Sequence, residues 1–177
     1  DIKFYLGSIL DITFLKNIFQ KHNINYIFHS AAYKHVDISE FNLFQTINNN
    51  FIGTNNLCEI SLEFKIEKFI LISSDKAVNP TNIMGASKRL SEKCISYYSK
   101  FNSTIFSSVR FGNVMGSSGS LIPIFLDQIK RKEPLYVRGE RTTRFFMTVS
   151  EAVSLVFKAS MLAKGGEIFI LNMGEKI

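Results

Sequence analysis

The apolar run Phe69-Ile70-Leu71-Ile72, followed at once by Ser73-Ser74-Asp75-Lys76, constrains this chain more than any other stretch. An unbroken apolar run of strand length suits a strand of a parallel sheet that is buried on both faces. In open α/β sheets the carboxyl ends of the strands carry the ligand site. The run therefore delivers two hydroxyls, a carboxylate and an amine to a place where they can face a substrate. Asn79-Pro80-Thr81-Asn82 reads as a turn, and a helix starts near Met84. Met84 and Lys88, four residues apart, share one face of that helix.

The rest of the chain alternates strands and helices. Asp1 to Leu6 reads as a short strand, and Asp11 can cap a helix over residues 12–22 that puts Phe14, Leu15, Ile18 and Phe19 on one face. Tyr26 to Phe28 forms the next strand and ends in Ser30-Ala31-Ala32, whose small side chains let a ligand approach the backbone. Tyr33, Lys34 and His35 follow, with His35 read as a structural hydrogen-bonder. Residues 43–63 read as one long helix, with Ile47, Phe51, Thr54, Cys58 and Leu62 as its core face. The helix from Met84 continues with Leu90, Cys94, Tyr97, Tyr98 and Phe101 as an apolar face, and Ile105 to Val109 is a further strand. Gly116-Ser117-Ser118-Gly119-Ser120 leads into a helix with Pro123 in its first turn, a turn whose backbone N–H groups suit a phosphate. Short strands are expected at Leu135 to Val137 and Ile168 to Leu171. Between them, Thr148 and Glu151 make a capping box for a helix ended by Lys164-Gly165-Gly166.

Ser73-Ser74-Asp75-Lys76, then Met84-Gly-Ala-Ser-Lys88, then Arg110-Phe-Gly-Asn113-Val-Met-Gly-Ser117-Ser-Gly-Ser resemble the nucleotide-sugar 4,6-dehydratases of the extended short-chain dehydrogenase/reductase superfamily. Within them, the resemblance is to the bacterial polysaccharide-biosynthesis branch acting on UDP-N-acetylglucosamine. It implies a doubly wound parallel sheet, the NAD(P)-binding Rossmann fold, over residues 1–177 as one domain, with about 111–177 contributing to substrate binding. The cofactor it implies is NAD or NADP, and the partners are the nucleotide sugar and further copies of the chain. Family members carry Tyr where Met84 stands, and the large membrane-anchored subgroup shares this Met. A thioether does not titrate, which leaves the C4 proton acceptor unassigned.

The resemblance also implies roles. The family oxidises sugar C4 by hydride transfer to nicotinamide, removes the C5 proton, expels water from C6 and returns the hydride to C6. Asp75 matches the acid at the C6 hydroxyl, Lys76 the base at C5, Ser74 the hydrogen-bond partner of the C4 oxygen and Lys88 the lysine of the nicotinamide ribose. With Met84 in place, Lys88, directly or through a water, is the expected C4 base. Ser30, Ala31, Ala32, Lys34 and Ser73 match cofactor-lining positions. Lys34, Asn113, Ser117 and Arg144, the last within Thr143-Arg-Phe-Phe-Met-Thr148, match substrate-binding ones. Asn49, Asn50, Gly53 and Thr54 match family positions that brace the active-site strands, though a plain polar helix face accounts for them equally. Ser8 stands where the family has an Asp beside the adenine.

Composition excludes more than it selects. The chain has 21 basic and 15 acidic residues, a net +6, but no basic block with interleaved aromatics, so no nucleic-acid partner is expected. Cys58 and Cys94 are read as buried reduced thiols, and no metal site is expected. No apolar run approaches a membrane span, so any anchor would lie outside this stretch and a cytoplasmic location is expected. No Gly-x-x-Gly-x-x-Gly phosphate loop occurs, and the central first strand is missing, so we expect a part of a longer protein that lacks the first β-α-β unit and the C-terminal end. Two rivals stand beside the dehydratase. One is a UDP-sugar 4-epimerase, which has no need of Asp75 and Lys76 as elimination acid and base; the other is a non-catalytic remnant acting as a scaffold.

Overall fold

The computed structural model describes residues 2–117, 121–135 and 143–175. The strands are β1 (Tyr26–His29), β2 (Lys68–Ile72), β3 (Ile105–Arg110), β4 (Asn113–Val114), β5 (Phe146–Met147) and β6 (Ile168–Ile170). Four of them form a parallel sheet in the order β1-β2-β3-β6, and β4 pairs with β5 in a separate parallel ribbon. The helices are α1 (Ile12–Lys21), α2 (Val36–Phe41), α3 (Leu43–Ile47), α4 (Gly53–Glu63), α5 (Ile83–Tyr98), α6 (Leu121–Lys130) and α7 (Val149–Leu162).

The apolar run of β2 feeds two cores. Phe69 and Leu71 pack on one side of the sheet with Leu57, Cys58 and Ile60 of α4 and Ile95 and Tyr98 of α5. Ile70 faces the other side, with Val109, Ala152, Val156 and Ala159. Helices thus cover both faces, as the doubly wound expectation requires. Full burial of one such side chain stabilises by roughly 1.5–3 kcal/mol. No described helix is long and apolar enough to cross a membrane.

Several expectations need correction. Residues 2–7 are not a strand: no neighbour pairs with them among the described residues, and Phe4 and Leu6 are exposed. A strand needs a ladder partner to satisfy its backbone. The long helix over 43–63 forms, but Asn48–Ile52 is a wider i→i+5 turn that turns Asn50 into the interior. In α5, Leu90 and Tyr97 lie outside, as does Phe101 just past the helix end, while Ser87, Lys88, Ser91 and Glu92 are buried with Ile95. Hydrogen bonds make that polar inner face tolerable. Cys58 and Cys94 are buried and free, as read, and Cys94 Sγ donates to Asn55 Oδ1 at 3.8 Å. The Ser118-Gly119-Ser120 turn and residues 136–142 fall outside the described residues, and Leu135, where a strand is expected to start, is exposed and in no strand.

Glu92 fastens α5 to two strand ends. Its side chain is 1% exposed, accepts two hydrogen bonds from Arg110 at 2.6 Å each, one from Ser73 Oγ at 2.6 Å and one from Arg89 at 3.1 Å. Burial pushes the carboxyl upward, and the bonds from Arg110, Ser73 and Arg89 outweigh it, so Glu92 stays below the usual carboxylate range. Gly85 permits the same packing at the helix start, where a Cβ would stand 2.3 Å from the Lys76 carbonyl oxygen. Removing one partner of a buried pair costs about 3–5 kcal/mol. Urea unfolding of Glu92→Ala should show a loss of that size, whereas Asp127→Ala, which breaks the exposed pair with Arg131, should cost under about 1 kcal/mol. Equal costs would contradict this role for Glu92.

Candidate active site

All four parallel strands end on one side, so the segments that follow them gather into one rim. Ser30 to His35 leave β1, Ser73 to Ala77 leave β2, Phe111 to Ser117 leave β3 and Leu171 to Gly174 leave β6.

Ser74, Asp75 and Lys76 form the tightest group. Asp75–Ala77 is a single tight turn capped by Ser74, whose Oγ accepts from Lys76 N at 3.2 Å and donates to Asp75 Oδ1 at 2.9 Å. Lys76 Nζ pairs with the same Oδ1 at 3.0 Å. The Ser74 hydroxyl and the Lys76 amine thus donate to one oxygen of Asp75, with Asp75 and Lys76 both half-exposed to whatever occupies the rim.

Met84 and Lys88 lie behind that turn on α5, both buried. Lys88 Nζ donates to the Ile72 carbonyl at 2.8 Å, and the described residues take up one of its three N–H donors. Burial lowers its pKa to about 8, with the Glu92 charge pulling the other way. The pKa of His29, also buried, is lowered to about 3 by burial and then by the Lys88 charge, so it is neutral. Thr54 Oγ1 donates to Asn50 O at 2.6 Å, so it accepts from His29 Nε2 at 2.9 Å, which fixes the imidazole tautomer.

Asn50 organises the first loop. Its Oδ1 accepts from Tyr33 N at 2.7 Å, and its Nδ2 donates to Tyr33 O at 2.9 Å and to Ser87 Oγ at 2.8 Å. Ser91 Oγ donates to Asn50 O at 2.7 Å. The bracing role is therefore the right one of the two readings for Asn50 and Thr54. Just before that brace, Ser30 and Ala31 are exposed and Ala32 is half-buried. Lys34 Nζ reaches Ser117 Oγ at 3.2 Å, which joins two residues assigned to the substrate from segments far apart in the chain.

Three residues depart from their expected places. Ser73 spends its hydroxyl on Glu92, so it holds the strand end instead of facing the cofactor. Arg110, expected beside the phosphate turn, is bound to Glu92. Arg144 is exposed with Nη1 on the Thr143 carbonyl at 2.8 Å, and among the described residues it is not joined to Lys34, Asn113 or Ser117. Asn113 sits half-buried in β4 with its backbone N–H on Phe145 O. Glu92 and His29 had no place in the sequence reading. The only signal for Glu92 was an acid four residues beyond Lys88 on the same face.

A family model described as polysaccharide biosynthesis protein matches residues 1–177. The chain belongs to this family. Among relatives of this polysaccharide biosynthesis protein, the capsular polysaccharide biosynthesis protein CapD of Staphylococcus aureus is 49% identical over 152 residues, covering 85% of this chain and 25% of CapD. A UDP-glucose 4-epimerase of Rickettsia rickettsii is 40% identical over 172 residues, 96% of this chain and 50% of the relative. The solved structure of Pen from Bacillus thuringiensis superposes with a TM-score of 0.91 at 40% identity over 97% of this chain and 55% of Pen. DesIV of Streptomyces venezuelae, a dTDP-glucose 4,6-dehydratase solved with NAD bound, shows the same fold at a TM-score of 0.89 and 20% identity over 97% of this chain and 58% of DesIV. The chain thus spans a quarter to about half of these curated relatives, and the NAD-binding Rossmann expectation holds for the fold.

The buried amine makes a direct prediction. Between about 8 and 10.5 the unfolded chain keeps the Lys88 proton that the fold releases, so this group makes stability rise with pH across that window. NMR of lysine-labelled protein should show one side chain, absent in Lys88→Met, titrating near pH 8. Titration of Lys88 with the surface lysines would contradict the burial argument.

Proposed function

We propose that the protein is the nucleotide-binding part of an NAD(P)-dependent 4,6-dehydratase acting on UDP-N-acetylglucosamine. The observation that carries this reading is the Asp75–Lys76 pair, one carboxylate and one amine 3.0 Å apart on a rigid turn at the strand end. An elimination needs an acid and a base on neighbouring carbons, and this pair supplies both.

The rim fits the nicotinamide half of a dinucleotide. The exposed Ser30-Ala31 backbone, held by Asn50, gives a close approach, and Lys88 has N–H donors left for a ribose hydroxyl. When bound, the cofactor accepts a hydride from sugar C4 and returns it to C6. Ser74 hydrogen-bonds the C4 oxygen. Lys88, whose pKa of about 8 lets it be neutral in part near neutral pH, takes the C4 hydroxyl proton directly or through a water. Met84 packs against the bound ring in place of a titrating side chain. Lys76 then removes the C5 proton as Asp75 protonates the departing C6 hydroxyl, so C5–H and C6–O break, a C5=C6 double bond forms and water leaves; the hydride that comes back to C6 is matched by a proton that Lys76 returns to C5. Lys34 and Ser117 hold the diphosphate, with Asn113 and Arg144 nearer the nucleotide.

The Rickettsia rickettsii relative favours a second reading, a UDP-sugar 4-epimerase, in which hydride returns to C4. Incubation of the full-length protein with UDP-N-acetylglucosamine in deuterated water separates the two by proton NMR. The dehydratase gives a new C6 methyl signal and deuterium at C5, lost by at least a hundredfold in Asp75→Asn and Lys76→Met. A C4 epimer with C6 unchanged would overturn the dehydratase.

A further inference from the structure

The first turn of α5 is held from two sides, and one of these holds has no part in the steps above. On one side Gly85 abuts the Asp75–Ala77 turn, where a Cβ would stand 2.3 Å from the Lys76 carbonyl oxygen. On the other, the Ile83 backbone N–H donates to Glu40 Oε1 of α2 at 2.7 Å, a bond between residues 43 apart in the chain. Asn82 caps the turn locally by accepting from Gly85 N at 2.8 Å, and α5 has no acidic residue of its own in that turn. The carboxylate that a helix N-terminus favours therefore comes from α2. Apolar burial does not seat α2 there, because its Ile38 and Phe41 are 61% and 90% exposed. Ser39 is its one buried residue, and the Ser39 hydroxyl meets no hydrogen-bond partner among the described residues. α2 starts two residues after Lys34, in the segment that leaves β1, whereas α5 carries Met84 and Lys88 in its first two turns. The Glu40–Ile83 bond thus joins the cofactor-side loop to the helix of the proton acceptor.

We propose that Glu40 is a positioning residue, which keeps the start of α5, and Lys88 with it, in register with the loop after β1. The inference rests on the proposed function and deepens it. Glu40 acts through the Ile83 amide and not on the reactants. Oxidation at C4 sends a hydride to the cofactor and a proton to Lys88, so loop and helix must present both acceptors to one sugar carbon and its oxygen. A slip of about 1 Å between them slows that step far more than it weakens the hold on the nucleotide. The oxygen of Glu40, at its full side-chain length, is what prevents the slip.

The test compares full-length wild type, loaded with NAD, with three variants. Glu40→Ala removes the acceptor, Glu40→Asp keeps the charge but falls one methylene short, and Glu40→Gln keeps an oxygen at full reach. Single-turnover reduction of the cofactor by UDP-N-acetylglucosamine should slow about tenfold in Glu40→Ala and Glu40→Asp and stay within about twofold of wild type in Glu40→Gln. Calorimetric binding of UDP should be the same in all four proteins. Hydrogen exchange at the Ile83 amide should be faster in Glu40→Ala and Glu40→Asp and unchanged in Glu40→Gln. Should Glu40→Ala fail to fold in a melting scan, the contrast between Glu40→Asp and Glu40→Gln decides the matter. A wild-type rate in Glu40→Asp, a Glu40→Gln as slow as Glu40→Asp, or Ile83 exchange that none of the variants alters would overturn the positioning role alone. A wild type that reduces no cofactor would overturn it together with the proposed function.

Discussion

The buried carboxylate of Glu92 is the interaction on which the rest of the site depends. A carboxylate in a protein interior is costly unless its oxygens are filled, and here they take four hydrogen bonds from Arg110, Ser73 and Arg89. Ser73 and Arg110 are the first residue past β2 and the last of β3. The cluster therefore fixes, relative to α5, the two strand ends that carry Asp75-Lys76 and Phe111-Gly112. One turn earlier on the same helix, Lys88 is held against β2 by the Ile72 carbonyl. The geometry of the rim follows from where α5 is clamped.

Much of this was legible in the sequence because it is local. The apolar run of β2, the Asp11 and Thr148 caps, the two cores on either side of the sheet and the polar groups at the strand end all follow from periodicity and end signals. What was not legible is long-range. Arg110 reads in sequence only as a member of the motif with Gly112 and Asn113, and only the fold shows that Glu92 claims it. Ser73 is indistinguishable from Ser74 until one side chain turns inward and the other caps the Asp75–Ala77 turn. Leu90, Tyr97 and Phe101 satisfy a helical apolar spacing, yet the helix turns its serines, Lys88 and Glu92 inward, because those polar groups have partners there. The wide turn at Asn48–Ile52 leaves no periodic signature that would set it apart from an ordinary helix, and it decides that Asn50 braces the first loop.

The same clamp gives a physical account of Met84. A family site with a tyrosine carries its titrating group on the helix one turn before the lysine, and here a buried thioether occupies that position. In the proposed dehydratase the proton-accepting duty falls to the amine behind it. Burial is what equips Lys88 for that duty, since an exposed lysine is protonated throughout the physiological range. Glu92 limits the effect, because its charge favours the ammonium and keeps the amine from being neutral at all pH values.

The assignment of Lys88 as proton acceptor is the centre of this account, and single-turnover measurement of cofactor reduction in Lys88→Arg tests it most directly. Full-length protein would be mixed with UDP-N-acetylglucosamine across a pH series and reduced cofactor followed by its near-ultraviolet absorbance. In wild type the rate should rise with one proton lost near pH 8. The arginine variant, permanently charged, should retain cofactor and substrate binding but lose the rate at every pH by a hundredfold or more. A Lys88→Arg protein that reduces its cofactor at the wild-type rate would contradict the account.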